Sequence, residues 1–319
     1  MKRILLLALP LMAMCFASCE KNNGNELSGD DIINFEDAHF LQALLCTREI
    51  EMWDAERYIL TYYFLDVDRN RDGQISVNEA QNVLGLNFYN SVADESFNVR
   101  SIPEIKYFTA LKCLECGGNQ LTSLDVSKNT ALTYLYCSGN QLTSLDANNT
   151  ALMSLWCEDN QLTSLDVSKN IALYSLSCDN NQLTSLDVSK NTALWEFYCS
   201  GNQLTSLDVS KNTALRFLNC YDNQLTSLDL SKNMKLSSLG CEGNQLTSLD
   251  LSNNTALYEF GCDDNQLTSL DLSKNMELEY FTCSGNPLTK IILNKNNKIR
   301  AEYIQDIMSE YGDIIEYVD

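Results

Sequence analysis

The chain has 319 residues, 45% of them hydrophobic, enough for one elongated core or two small ones. Its 22 Lys+Arg against 43 Asp+Glu give a formal net charge of −21. That balance argues against nucleic-acid backbones and anionic headgroups as partners and keeps an exposed surface solvated.

Residues 1–18 read as an address rather than as structure. Lys2 and Arg3 form a positive n-region, and Ile4 to Phe16 are an apolar stretch too short to span a bilayer. Ala17 and Ser18, small residues, then stand directly before Cys19, and a polar run follows. This resembles the lipobox of bacterial lipoproteins, with Phe16 where Leu is usual. The resemblance implies cleavage before Cys19, its acylation, and residence as a surface-exposed outer-membrane lipoprotein of the bacterial cell envelope. An ordinary cleaved secretory signal is the alternative, and Cys15 is a poorer lipid site because Met14 precedes it. Residues 19–30 are expected to be the tether. No later segment is long and apolar enough for a transmembrane helix, so the lipid is the expected membrane contact.

Residues 31–98 read as an N-terminal cap. Helical spacing runs through 31–64, with Phe35, Phe40, Leu41, Leu44 and Leu45 on one apolar face. Asp68-Arg-Asn70-Arg-Asp72-Gly73-Gln74-Ile75-Ser76-Val-Asn-Glu79 follows. It resembles the calcium loops of EF-hand and dockerin-type modules. Calcium takes hard oxygen ligands, which Asp68, Asn70, Asp72, Ser76 and Glu79 would give from side chains and Gln74 from its backbone carbonyl. Gly73 permits the sharp turn and Ile75 packs inward. A single loop suits a structural clip over the open end of a solenoid better than a sensor, and a metal-free turn is the alternative. Between Leu84 and Ala110, Val99–Ile102 and Ile105–Phe108 look like a degenerate first coil.

From Leu111 to about Asn297 the sequence repeats every 21 residues, in nine units of form LxxLxCxxNQLTSLDVSKNTA. One step, around Asp146-Ala-Asn-Asn149, is a residue short. The pattern resembles the leucine-rich-repeat family, specifically its nested 21-residue (IRREKO-type) class. The spacing supports the same architecture without the name, because two strand-like LxxLx segments per turn leave no room for a long return helix. The expected fold is therefore a mostly β repeat solenoid over 99–297. Its coils would build a parallel sheet about 4.8 Å per step, with a short or extended return side. Ala301 to Tyr311 reads as an amphipathic helix and Asp313 to Val318 as a short strand, together the C-terminal cap (298–319).

Alternation places Leu135 and Cys137 inward and Tyr134, Tyr136 and Ser138 outward. Thirteen cysteines in an exported chain would suggest disulfides. Nine of them, Cys116 through Cys283, fall at the inward position, and parallel Cβ vectors pose neighbouring sulfurs badly for bonding. They are read as a buried column of free thiols. Asn119 and its equivalents up to Asn286 mark one corner of every coil and read as a ladder of backbone hydrogen bonds. Asp125 and its equivalents up to Asp271 stack on the return side as a solvated ladder, with a weak cation site as the alternative.

Comparison of the units separates a monotonous face from a varied one. The LTSLD half presents Ser, Asp, Ser in nearly every coil. The LxxLxC half presents Tyr134, Tyr136, Trp156, Tyr198, Phe217, Tyr221 and Tyr280 among Glu158, Glu196 and Glu259. Exposed aromatics on a rigid sheet are interface material, so this is the expected partner-binding face; cross-strand packing is the competing explanation. The only histidine, His39, lies far from any repeat nucleophile and gives neither a zinc spacing nor a triad signature, so no enzyme is expected. The resemblance implies a monomeric, non-enzymatic adhesion module for a protein or glycan, with calcium as its only cofactor. A structural spacer in a surface complex is the alternative.

Overall fold

A computed structural model of the chain describes residues 27–46, 50–54, 59–63, 67–89 and 98–319. Cys19 lies outside the described residues. The first helix, α1 (Ala38–Cys46), is followed by strands β1 (Ile50–Asp54) and β2 (Ile59–Tyr63), which pair antiparallel. The helix expected over 31–64 therefore gives way after Cys46. The strand segments, IEMWD and ILTYY, are dense in β-branched and aromatic residues that suit a pleated ribbon better than a helix. A single turn of helix, α2 (Val77–Ala80), closes the 68–79 loop with a capping box between Ser76 and Glu79.

The repeat then takes over. Parallel strands β3 (Gly85–Asn87), β4 (Cys113–Glu115), β5 (Tyr134–Tyr136), β6 (Ser154–Trp156), β7 (Ser175–Ser177) and β8 (Glu196–Tyr198) stack in chain order. They continue through β9 (Phe217–Asn219), β10 (Ser238–Gly240) and β11 (Glu259–Gly261). Strand β12 (Ser269–Leu272) lies on the return side, and β13 (Tyr280–Thr282) completes a ten-stranded sheet. Register repeats without slip, so that Leu135, Leu155, Leu176, Phe197 and Leu218 lie in line and fully inside. This is the leucine-rich-repeat fold.

Each coil closes by the same local devices. The nine repeat cysteines are free and at most 1% exposed. Burial pushes their thiols up, to about 12 at Cys137 and Cys220, so they behave as small apolar fillers. A tenth, Cys113, is also free and buried. The corner asparagines form the expected ladder. Asn202 Nδ2 donates to the carbonyls of Cys178, Cys199 and Ser200, while its Oδ1 accepts from Leu183 N–H one coil back. The residue before each ladder asparagine has positive φ, 64° at Gly139, 54° at Asp159 and 52° at Asn180. That backbone explains why only Gly, Asn or Asp stands there.

The return side is mostly turns. Asp125 Oδ1 accepts from Ser127 N–H at 2.9 Å, and Asp166, Asp187, Asp208, Asp229, Asp250 and Asp271 repeat the arrangement. These hydrogen bonds hold the carboxyls of Asp187, Asp208 and Asp229 below their ordinary range, which marks them as turn formers. Where Ile292 replaces the aspartate, the chain runs on as β14 (Lys290–Asn294), between β12 and β15 (Ile315–Val318) in a small parallel sheet. Helix α3 (Ala301–Tyr311) covers the last coil as expected. Its Tyr311 hydroxyl lies 3.2 Å from Asn286 N–H and 3.0 Å from Asn286 C=O, standing in for the coil that would come next. At the other end α1 packs on the first coil through Phe40, 5.3 Å from Phe88.

Candidate functional site

The strands put three residues per coil on the outer face: the first and third of each strand, and the one after the cysteine. The sequence-predicted aromatics all lie here, and the nine repeat sulfurs lie opposite; Cys113, in register with Tyr134, takes an outer strand position and is buried there. Tyr136 and Trp156, neighbours in register, have ring centroids 4.9 Å apart, and Tyr134 lies 6.4 Å from Tyr136. Trp156 Nε1 donates to Ser175 Oγ (3.2 Å), which donates to Glu196 Oε2 (3.0 Å). Trp156 remains 40% exposed and Tyr221 37%, whereas Tyr134, Tyr136, Tyr198, Phe217 and Tyr280 are half-buried. The rings therefore pack on one another and still leave flat apolar area open.

Carboxylates interleave with these rings under partial burial. Desolvation, reinforced by Glu158, pushes Asp179 up to about 6 even though Ser200 N–H donates to it at 2.6 Å. Glu158 Oε2 is buried and finds no hydrogen-bond partner in the chain. Glu259 is exposed and accepts from Ser238 Oγ at 2.9 Å. Three further aromatics join the face: Trp195, 5.0 Å from Phe217; Tyr258, 5.1 Å from Tyr280; and Tyr303 of α3, 5.7 Å from Tyr280. Trp195 and Tyr258 stand directly after the first leucine of their units, a position that the alternation argument did not reach. Tyr303 comes from the cap and has no repeat signal.

The second candidate is the 68–79 loop. Its side-chain oxygens accept from the loop's own backbone: Asp68 accepts from Asp72 N–H (3.2 Å) and Gly73 N–H (2.8 Å). Asn70 accepts from Asp72 N–H, and Asp72 from Gln74 N–H. Glu79 accepts from Arg69 N–H, Ser76 N–H and Ser76 Oγ. Burial raises the Glu79 carboxyl, but those bonds outweigh it and hold it below its ordinary value. Gly73 has φ of 81° and Ile75 is fully buried, as the turn requires. The donor set is all oxygen and suits a hard cation. Among the described residues no three His, Cys, Asp or Glu side chains converge as an ion-holding cluster, and the loop carboxylates are engaged by backbone N–H groups. The loop also has a pairing partner that the sequence did not announce. Ile33 N–H donates to Ile75 C=O, Val77 N–H to Asp31 C=O, and Ile32 bridges Ser76 antiparallel. The start of the expected cap, residues 31–33, thus pairs with the loop. His39 pairs with Asp37 (Nδ1–Oδ1 3.2 Å), which also accepts from Arg100 and Ser101 N–H groups as part of the cap.

A leucine-rich-repeat family (two copies) matches residues 109–150. The chain is similar to the functional domain of InlJ from Listeria monocytogenes, a structure described as including a cysteine ladder. Identity is 37% and the TM-score 0.63, over 70% of this chain and 51% of that one. The internalin InlF of the same organism matches at 20% identity and TM-score 0.58, over 89% of this chain and 91% of that one. The ectodomain of the Arabidopsis thaliana receptor kinase GASSHO1/SCHENGEN3, solved with CASPARIAN STRIP INTEGRITY FACTOR 2, matches at 21% and 0.61, over 74% and 30%. The two weaker identities show the fold alone. The chain spans about half the length of the InlJ domain. No curated protein sequence matches the chain.

Proposed function

We propose that this chain is a non-enzymatic binding module that takes a protein partner on the outward face of its repeat sheet. The observation that carries the reading is the run of half-open aromatic rings on a rigid sheet: Tyr134, Tyr136, Trp156, Tyr198, Phe217, Tyr221 and Tyr280. Among them lie Glu158, Glu196 and Glu259. Flat rings with little rotamer freedom supply contact area at low entropic cost. The plant receptor ectodomain above, solved in complex with CASPARIAN STRIP INTEGRITY FACTOR 2, is a precedent for the scaffold. The acidic surface favours a basic partner and fast encounter with it. Acylation at Cys19 would hold the module at the bacterial surface as an adhesin. Calcium, held by Asp68, Asn70, Asp72, the Gln74 carbonyl, Ser76 and Glu79, would stiffen the cap over the first coil.

Affinity capture from a neighbouring or host cell surface, with wild type beside Trp156→Ala/Tyr198→Ala/Tyr221→Ala, tests the reading. Captured species should disappear in the triple variant while its circular dichroism is unchanged. A glycan array run in parallel separates a carbohydrate from a protein target. Capture that survives the triple substitution would return the chain to the role of a spacer in a surface complex.

A further inference from the structure

Near the C-terminal end of the outer face, two consecutive coils lack a side chain where others carry Tyr136, Trp156 or Tyr198. Gly240 and Gly261 pair in register and floor a cavity of about 320 Å³. Its walls are Tyr221, Tyr280 and Tyr303, with Glu242 and Glu259 on either side. The Glu242 carboxylate lies flat across both glycines: a Cβ at Gly261 would collide with its Oε1, and one at Gly240 would stand 3.1 Å from its Oε2. That Oε2 is buried and has no hydrogen-bond partner in the chain. No Lys, Arg or His lines the cavity. The cation nearby, Arg300, is committed to Glu279 and to the ring of Tyr280, 4.0 Å away. Burial opposes the Glu242 charge and neighbouring Asp263, Glu259 and Asp222 repel it, which together outweigh a hydrogen bond from its own backbone N–H.

A half-buried carboxylate with one oxygen buried and unpartnered is costly in a free protein, and a cation from outside reduces that cost. We propose that this cavity is the anchor pocket for an arginine side chain of the protein partner. Its guanidinium would pair with Glu242, and its plane would lie between Tyr221 and Tyr303. The inference rests on the face being a protein-binding surface and adds the chemistry of the contact. The cavity is too large for a bare metal ion with one free carboxylate, and its aromatic walls suit a flat, weakly hydrated cation.

The test uses the full chain and N-acetyl-arginine amide as probe, followed by NMR titration, with N-acetyl-citrulline amide as the neutral isostere. The arginine probe should bind and the citrulline probe should not. Glu242→Gln should weaken arginine binding about tenfold or more, as loss of a charge-assisted pair requires. Gly261→Ala should displace the carboxylate and give a similar loss. Asp208→Asn, an equal charge change on the return side, should leave binding intact. Equal binding of both probes, or equal loss in Glu242→Gln and Asp208→Asn, would overturn the pocket. A Trp156→Ala/Tyr198→Ala double variant separates the two claims, because both residues lie outside the cavity that Tyr221 lines. Arginine binding without partner capture by wild type would sink the broader reading alone, and capture that Glu242→Gln leaves unchanged would sink the pocket alone.

Discussion

Asn202→Ala should be among the most damaging single changes in the chain, and the ladder geometry sets its size. The side chain serves four backbone groups, but they do not depend on it equally. The Cys178 carbonyl also accepts from Asn181 Nδ2, Cys199 from Asn223 Nδ2, and Ser200 from Asn180 N–H. Each carbonyl therefore keeps a donor after the substitution. Leu183 N–H, by contrast, has Asn202 Oδ1 at 2.9 Å as its partner and would be left buried and unpaired. One orphaned N–H costs about 1–3 kcal/mol, and weakening three shared bonds adds about 1 kcal/mol, so the expected loss is about 3 kcal/mol. A second ladder gives an internal control. Asn212 Nδ2 donates to Val188 and Asn191 carbonyls, both of which keep another donor, and its Oδ1 is already without a partner. Asn212→Ala removes the same volume but orphans no N–H, and should cost about 1 kcal/mol. Urea unfolding of both variants, with the slope of the transition unchanged, measures the two losses. Hydrogen exchange at the Leu183 amide should accelerate only in Asn202→Ala. Equal losses, or the reverse order, would refute the assignment of the energy to the single N–H.

Two other predictions concern charge. Asp179 has its folded pKa raised to about 6 from an ordinary 3.8. The folded state therefore binds the extra proton, and stability falls as pH rises between those values and stays level above. Asp179→Asn should be more stable than wild type at neutral pH by about 1 kcal/mol, once screening at a site partly open to water is allowed for. The difference should vanish near pH 4; thermal melts giving parallel pH profiles would reject it. For the 68–79 loop, millimolar calcium should stabilise wild type by about 1 kcal/mol if the affinity is that of an extracellular module, and should not stabilise Glu79→Gln. A melting temperature indifferent to chelator would remove the metal from the account.

The sequence was most legible where one physical demand repeats. Leucine at every inward position, cysteine at the next, and asparagine at the corner state the coil so often that strand register and the C-terminal helix followed from spacing. It was less legible where no repeat averages the signal. Phe35 through Leu45 set a helical phase that masks Ile50–Asp54 and Ile59–Tyr63, whose own residue types favour the strands they form. The pairing of Ile32 with Ser76 was invisible because its two partners lie 44 positions apart in the numbering and neither carries a turn or ladder signature. Tyr303 carries no repeat signal either: the spacing of helix α3 speaks only of a cap, and a cap can also contribute to the face it closes.

The placement of the candidate pocket follows from how the repeat divides its positions. Inward residues are fixed by stacking: an unfilled leucine site or an unpaired corner amide would break contact with both neighbouring coils. Return-side aspartates are fixed by their turns. Only the outward strand positions and the residue after the cysteine are free of both demands, and recognition can be written there without disturbing the stack. Removing a side chain at such a position costs little folding energy, since no core contact is lost. Two such removals in adjacent coils, Gly240 and Gly261, open a cavity whose floor is backbone already satisfied by the sheet. The Glu242 carboxylate lowered against that floor keeps one buried oxygen, Oε2, without a donor from the chain. Its missing partner must come from outside the chain, and the same stacking rule that made the cavity inexpensive makes its charge available.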